Sequence, residues 1–163
     1  MREQNRIDSS RRFGLAAVLL ACVAMPARVA AQTPSYEKAT AGTRWLENGG
    51  LTIKVLVEAA NLGSGDVEIG EITFPAGMSP SRGHRHGAIE IFYVLEGELD
   101  HVVNGTSHIL RPGMVGIVRP ADEVIHRVAS TGPVRALVIW APGGEVARIA
   151  PGFQQRPVGD DRR

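Results

Sequence analysis

The feature that most constrains this chain is a series of short segments in which apolar and polar residues alternate. The first runs from Leu51 to Val57, and similar segments recur as far as Trp140, separated by turns that contain glycine or proline. Successive side chains of a strand point to opposite faces, so this period predicts strands that each bury one face. Beyond residue 31, no segment has the period of a helix of about three turns or more. The sequence therefore predicts an all-β domain of about seven or eight strands, arranged as a sandwich, jelly roll or small barrel.

One turn in this series also predicts a register. Asn104-Gly105 lies between two alternating segments, and this dipeptide is the strongest short-range signal for a β-hairpin because both turn residues must adopt a positive φ. A two-residue turn places His101 opposite His108, so their imidazoles are predicted to be neighbours across the hairpin. We interpret them as a hydrogen-bonded pair in the core. A relay that supports another site and an accessory site are the alternatives.

The first 31 residues have the pattern of an export signal. An arginine-rich start is followed by an apolar run from Phe13 to Met25, and Val29-Ala30-Ala31 supplies the small residues that a signal peptidase requires. The apolar run is too short for a membrane-spanning helix. We therefore predict a cleaved signal peptide at 1–31 and a periplasmic or secreted mature protein, with a disordered tail or a retained anchor as the alternatives.

Two finer interpretations of this segment stay open. Arg11-Arg12 and its neighbours partly resemble a twin-arginine signal, which exports folded proteins. The residues before Cys22 resemble a lipoprotein box, although Leu20 fits it poorly, so the mature protein is predicted to be free of the membrane unless Cys22 is lipidated. The rest of the chain divides into a lead-in at 32–50, a folded domain at 51–149 and a tail at 150–163.

The charge balance argues against a nucleic-acid partner. Residues 1–31 hold five of the 18 basic and two of the 17 acidic side chains, so the remainder has a net charge of −2. That remainder has no basic patch or arginine-rich helix, which nucleic-acid-binding domains use to neutralise phosphates. The only cysteine is Cys22, so an internal disulfide is excluded. The fold must therefore be stabilised by packing and by any metal that it binds.

The residues that predict chemistry are His84, His86 and Glu90. All three have even numbers, so on an unbulged strand their side chains point to the same face. Phe92 and Val94 continue that face, which leaves three polar groups at one end of an apolar wall. Burying such groups without partners costs several kcal/mol, and a shared cation removes that cost. The pattern therefore predicts a metal site.

A fourth metal ligand is expected from a neighbouring strand, and His126 is placed to supply it. Three imidazoles and one carboxylate suit a single divalent transition metal, and the sequence does not choose among Fe, Mn, Ni, Co, Cu and Zn. Four protein ligands on a six-coordinate ion leave one or two positions open. A metal of this kind acts on a small molecule as a Lewis acid or as a redox centre.

These residues stand in a pattern that resembles the two motifs of the cupin family. The first motif is similar to His84-x-His86-x3-Glu90-x6-Gly97, and the second to Pro112-Gly113 through Pro120 to His126. The resemblance covers about residues 67–142 and implies a double-stranded β-helix, the cupin form of the jelly roll. It also implies that the three first-motif residues and His126 are the four ligands, and that the face with His101 and His108 points into the barrel.

The chain departs from the family pattern around the second motif. Asp122 stands where that motif usually has glycine, one extra residue precedes His126, and Ser130 replaces the usual asparagine. All four ligands stay in place, but these changes leave the geometry of the turn from Pro120 to His126 undetermined by the sequence.

The resemblance also implies a function and an assembly. Small cupins include dioxygenases that act on flavonols, thiols and small aromatic or diketone substrates, so the chain is expected to be an exported metal-dependent oxidoreductase of the quercetinase-like type. Glu90 would be both ligand and proton acceptor. The alternatives are a non-enzymatic module that binds a small ligand or metal, and an isomerase or lyase that uses the metal only as a Lewis acid. Because small barrels expose edge strands, residues 51–57 are predicted to join a partner subunit in a homodimer.

Overall fold

The computed structural model describes residues 41–159, so the predicted signal peptide and Cys22 lie outside the described residues. Within that range the strands are β1 Arg44–Asn48, β2 Leu51–Val57, β3 Glu68–Phe74, β4 Ile89–Glu96, β5 Leu99–Val103, β6 Thr106–Leu110, β7 Val115–Val118, β8 Val124–Val128, β9 Val134–Ala141 and β10 Gln154–Pro157. The helices are α1 Ala59–Leu62, α2 Glu145–Ile149 and a single 3₁₀ turn at Ala150–Gly152. No helix among the described residues is long and apolar enough to cross a membrane.

The strands form two antiparallel sheets. The larger sheet has the order β10-β1-β2-β3-β9-β4-β7, and the smaller one has the order β6-β5-β8. Strands that are distant in sequence are neighbours in space, since β9 lies between β3 and β4. This crossed pairing is that of a double-stranded β-helix, so the predicted fold class is confirmed.

The alternation in the sequence corresponds to an inner and an outer face of each sheet. In β3 and β9, every second residue is buried and the residues between them are half-buried. The buried side chains form one core, which includes Leu46, Val55, Phe74, Phe92 and Val138. Each Å² of apolar surface that folding removes from water stabilises the fold by about 25 cal/mol. The burial of this core therefore holds the two sheets together.

The predicted hairpin is confirmed. Asn104 and Gly105 both have positive φ angles, 49° and 81°, and they join β5 to β6. The register pairs His101 with His108, as the two-residue turn requires. The burial of the two histidines differs from the prediction, because His108 is exposed.

β2 is an interior strand, so the prediction that residues 51–57 form an edge is wrong. It pairs with β1 on one side and with β3 on the other. β1 lies within the predicted lead-in at 32–50 and β10 within the predicted tail at 150–163. Neither strand has a clear apolar alternation that would predict it. The proposed contact of β2 with a partner subunit is therefore excluded in this fold, and a homodimer would need another surface.

Side-chain hydrogen bonds compensate for the departures in the second motif. The Asp122 carboxylate accepts a hydrogen bond of 3.2 Å from the backbone N–H of Arg119 and one of 2.8 Å from the Asn104 amide. These bonds join the turn before β8 to the β5–β6 hairpin. Ser130 follows β8, and its Oγ accepts a hydrogen bond of 3.1 Å from the backbone N–H of Glu98. With both ends held, β8 pairs with β5 along its whole length.

Candidate metal centre

Three parts of the barrel bring the predicted ligands together. Glu90 is the second residue of β4, His126 is the middle residue of β8, and His84 and His86 precede β4. His84 forms two backbone hydrogen bonds with Val124, of 3.0 and 2.8 Å. The condition of an unbulged strand from 84 to 90 is not met, since β4 begins at Ile89. The bridge to Val124 nevertheless keeps this segment against the barrel, and the side chains converge.

The donor atoms of these residues lie close to one another. The Nε2 atoms of His84 and His86 are 3.1 Å apart, and His86 Nε2 is 2.8 Å from Glu90 Oε2. His126 Nε2 is 3.1 Å from Glu90 Oε1. Neighbouring donors on a six-coordinate ion with bonds of about 2.1 Å lie about 3 Å apart. Each of the three pairs therefore has the spacing of two adjacent donors, and the two contacts of Glu90 use different oxygens.

His101 is a further neighbour of this site. It faces His126 across the β5–β8 pairing, and its Nε2 is 3.9 Å from Glu90 Oε1. This buried nitrogen has no hydrogen-bond partner among the described residues. Glu90, His101 and His126 each offer one ligand atom, and these three atoms all lie within 4.8 Å of one another. This triad can therefore also hold a metal ion. The site thus offers two overlapping sets of ligands that share Glu90 and His126.

The interpretation of His101 and His108 as a buried pair is wrong. His101 is 2% exposed, whereas His108 is exposed, because β6 is an edge strand that pairs only with β5 among residues 41–159. The His101 ring instead packs against Phe92 and His126, with centroid distances of 5.1 and 4.9 Å. Gly116 of β7 leaves room for this ring, since a Cβ there would lie 2.7 Å from His101 Nδ1.

The electrostatics favour the metal-binding protonation state at three residues of the site and oppose it at His86. Burial would lower the pKa of His86, but the hydrogen bond and charge of Glu90 outweigh it and raise that pKa. Burial lowers the pKa of His101 to about 3 and partial burial lowers the pKa of His84 to about 4, and His126 adds to both shifts. Burial alone would raise the pKa of Glu90, but the charge and hydrogen bonds of His126 and His86 outweigh it and hold that pKa well below its usual range. At neutral pH, His84 and His101 are therefore neutral and Glu90 is ionised, as metal ligands must be.

Glu145 of α2 holds His86 from the side opposite Glu90. Its Oε2 is 3.2 Å from His86 Nδ1, and its Oε1 accepts a hydrogen bond from the backbone N–H of Gly87. Arg148 pairs with the same carboxylate. Burial works against ionisation of Glu145, but Arg148 and the Gly87 N–H outweigh it and lower its pKa. A carboxylate at Nδ1 directs the Nε2 lone pair of His86 toward the site. No signal in the sequence connected α2 with this histidine.

We expect Glu145→Gln to weaken metal binding by roughly tenfold or more, the usual effect of removing a partner that orients a ligand. The amide can donate to His86 Nδ1 and stabilise the tautomer whose Nε2 carries a proton, which cannot bind a metal. Calorimetric titration with Zn²⁺ measures the change. Glu71→Gln, which removes an acidic group paired with Arg135, is the control. Equal affinities in the two variants would contradict this role.

A cavity of about 370 Å³ opens onto the predicted ligands. Its lining consists of Leu51, Ile53, Ile72, Phe74, Met78, Pro80, Arg82, His84, His86, Glu90, Phe92, His126, Trp140, Arg148, Ile149 and Phe153. Trp140 is buried and also lines this cavity, and its Nε1–H donates a hydrogen bond of 3.1 Å to Glu90 Oε2. The polar donors thus lie on one part of a mainly apolar wall.

Comparison with known proteins identifies a domain that coincides with this barrel. Residues 70–140 match a family model described as a cupin domain, and this span includes all four predicted ligands. A search of curated protein sequences found no match.

Solved structures with low sequence identity share the fold. KdgF from Halomonas sp. has a TM-score of 0.54 at 18% identity, over 63% of this chain and 89% of its own. A predicted oxalate decarboxylase from Thermotoga maritima has a TM-score of 0.54 at 19% identity, over 62% and 92%. Ectoine synthase from P. lautus has a TM-score of 0.54 at 17% identity, over 72% and 85%. At these identities the likeness supports the fold alone.

Proposed function

Because this chain carries a cupin domain, we propose that it is a mononuclear metal protein and that it catalyses an oxidation of the dioxygenase type on a small organic substrate. The observation that carries the proposal is the set of donor spacings along His84, His86, Glu90 and His126, which are 3.1, 2.8 and 3.1 Å. Imidazole and carboxylate donors suit Fe, Mn, Ni, Co, Cu or Zn, and we leave the choice of metal to experiment.

The chemistry of the donors favours this set over the triad with His101. Its consecutive donors lie 2.8 to 3.1 Å apart, whereas His101 Nε2 is 3.9 Å from the nearest Glu90 oxygen. His86 also has the carboxylate of Glu145 behind it, as metal-binding histidines commonly do. His84, His86, Glu90 and His126 are therefore the proposed ligands, with His101 packed against them.

When bound, the metal would supply redox or Lewis-acid chemistry at the base of the cavity. The residues of the chain bind and orient the substrate around it. The apolar walls exclude water, and the Trp140 N–H holds one oxygen of Glu90 at 3.1 Å. We propose Glu90 as the residue that accepts a proton from the substrate, because it lines the cavity together with the histidines.

Two other functions fit parts of the same evidence. A non-enzymatic module that captures a small ligand or metal would need only the cavity and its donors. An isomerase or lyase would use the metal without a change of redox state. The cavity does not separate these functions from an oxidation, but oxygen dependence does.

The test begins with metal analysis of protein purified in its natively matured form. The metal-loaded protein is then incubated with flavonols, thiols and small aromatic substrates while dissolved oxygen is recorded. We expect oxygen uptake with at least one class and loss of turnover in Glu90→Gln at retained metal content. Turnover that persists without oxygen would favour the Lewis-acid enzyme. Metal binding with no turnover in either condition would favour the binding module.

We also propose that the protein is periplasmic or secreted, on the basis of the apolar run and the small residues at 29–31. Protein recovered outside the cytoplasm should begin at Gln32. An N-terminal sequence that begins at Met1 would refute the cleavage, and one that begins at Cys22 would favour the lipoprotein alternative.

A further inference from the structure

We propose that the ligand of this cavity is a small organic anion with an apolar body, and that Arg82 recognises its negative charge. This inference rests on the proposed function, since it assigns a substrate class to the same site. It follows from the size of the cavity, the distribution of polarity on its walls and the pairing of its two arginines.

The cavity has room for a small molecule with an apolar body. Its volume of about 370 Å³ lies near the lower end of the range of roughly 300–1,000 Å³ that is usual for ligand sites. Side chains such as Ile53, Ile72, Phe74 and Met78 form most of its wall. A small aromatic or branched body would bury its surface there, whereas a sugar-like ligand would leave many hydroxyl groups unpaired.

The charges around the cavity favour an anion. Among the described residues that line it, Glu90 is the only acidic one, and its carboxylate already contacts His86 and His126. A divalent metal in the proposed site would add positive charge. Arg82 and Arg148 supply two more cationic side chains. An anionic ligand is therefore attracted to the cavity, while a cationic one is repelled.

The two arginines are not equivalent. Arg148 is paired with Glu145, and its Nη2 is 3.3 Å from His86 Nδ1, so its charge is already compensated. Arg82 is exposed at the cavity and has no hydrogen bond or ion pair with any residue in 41–159. A guanidinium can pair with both oxygens of a carboxylate at once. Arg82 is thus the group that is free to bind the charged end of a ligand whose apolar end lies in the cavity.

The experiment compares benzoate with benzamide, which has the same shape and no charge. Binding is measured by calorimetry on metal-free and Zn²⁺-loaded protein, and on two variants. Arg82→Gln removes the proposed partner, while Arg119→Gln removes another exposed arginine that does not line the cavity. We expect Arg82→Gln to weaken benzoate binding roughly fivefold to tenfold in both metal states, as loss of a typical hydrogen bond does. Benzamide binding and the Arg119→Gln variant should be unchanged.

Equal affinity of the wild type for benzoate and benzamide would overturn the proposal. So would benzoate binding that needs Zn²⁺ and ignores Arg82, because the metal alone would then meet the charge. Arg82-dependent benzoate binding in protein that takes up no metal would support this inference and refute the proposed metal function. Normal metal uptake with no benzoate binding would do the reverse.

Discussion

His86→Ala is expected to weaken binding of a divalent metal by at least about 100-fold, a larger loss than removal of an orienting partner produces. The histidine has its Nε2 2.8 Å from Glu90 Oε2 and 3.1 Å from His84 Nε2, so it links the donors of the proposed set. The substitution removes one ligand, and it also removes the imidazole through which Glu145 contacts the site. Metal titration followed by calorimetry, with Co²⁺ absorption spectra as a second reading, gives the affinity and the ligand geometry.

His101→Leu is the matched comparison for this variant. His101 is also a buried imidazole beside Glu90, but it belongs only to the alternative triad with Glu90 and His126. We expect this variant to retain metal and to fold well, since leucine replaces a buried nitrogen that has no partner among the described residues. The reverse result, with metal lost in His101→Leu and kept in His86→Ala, would assign the site to the triad.

Phe92→Ala is expected to lower the free energy of unfolding by about 3–5 kcal/mol, the usual cost of emptying a buried phenylalanine site. Phe92 is 1% exposed and lies at the centre of an aromatic cluster. Its ring centroid is 6.0 Å from Phe74, 5.1 Å from His101 and 5.0 Å from His126. The substitution therefore removes packing that holds two imidazoles of the site in place.

Urea unfolding of the metal-free protein measures this loss without any contribution from a bound ion. Tyr93→Ala is the control, because the next residue of β4 is 39% exposed and faces outward. Its cost should stay near 1 kcal/mol, the range over which strand residues differ. Similar losses in both variants would show that the aromatic cluster does not stabilise the barrel more than the outer face does.

The local features of this fold could be predicted from the sequence. The alternation of apolar residues predicted most of the strands, because the two faces of a strand differ only in every second residue. Asn104-Gly105 predicted its hairpin and register, because few residues adopt two successive positive φ angles. The spacing of His84, His86 and Glu90 predicted that their side chains converge, and the distances in the structure agree even though residues 84–88 are not a regular strand.

The tertiary structure decided which distant elements meet at the site. The pairing of β5 with β8 places His101 against His126, and the docking of α2 places Glu145 behind His86. β1 pairs with the strand that the sequence had suggested as an edge, and β10 pairs with β1. Apart from the β1–β2 pairing, these contacts join segments that are far apart in the chain, and alternation within one segment does not say which partner it will have. Period and turn chemistry are determined by a few neighbouring residues, whereas strand order depends on how all the apolar faces are buried together.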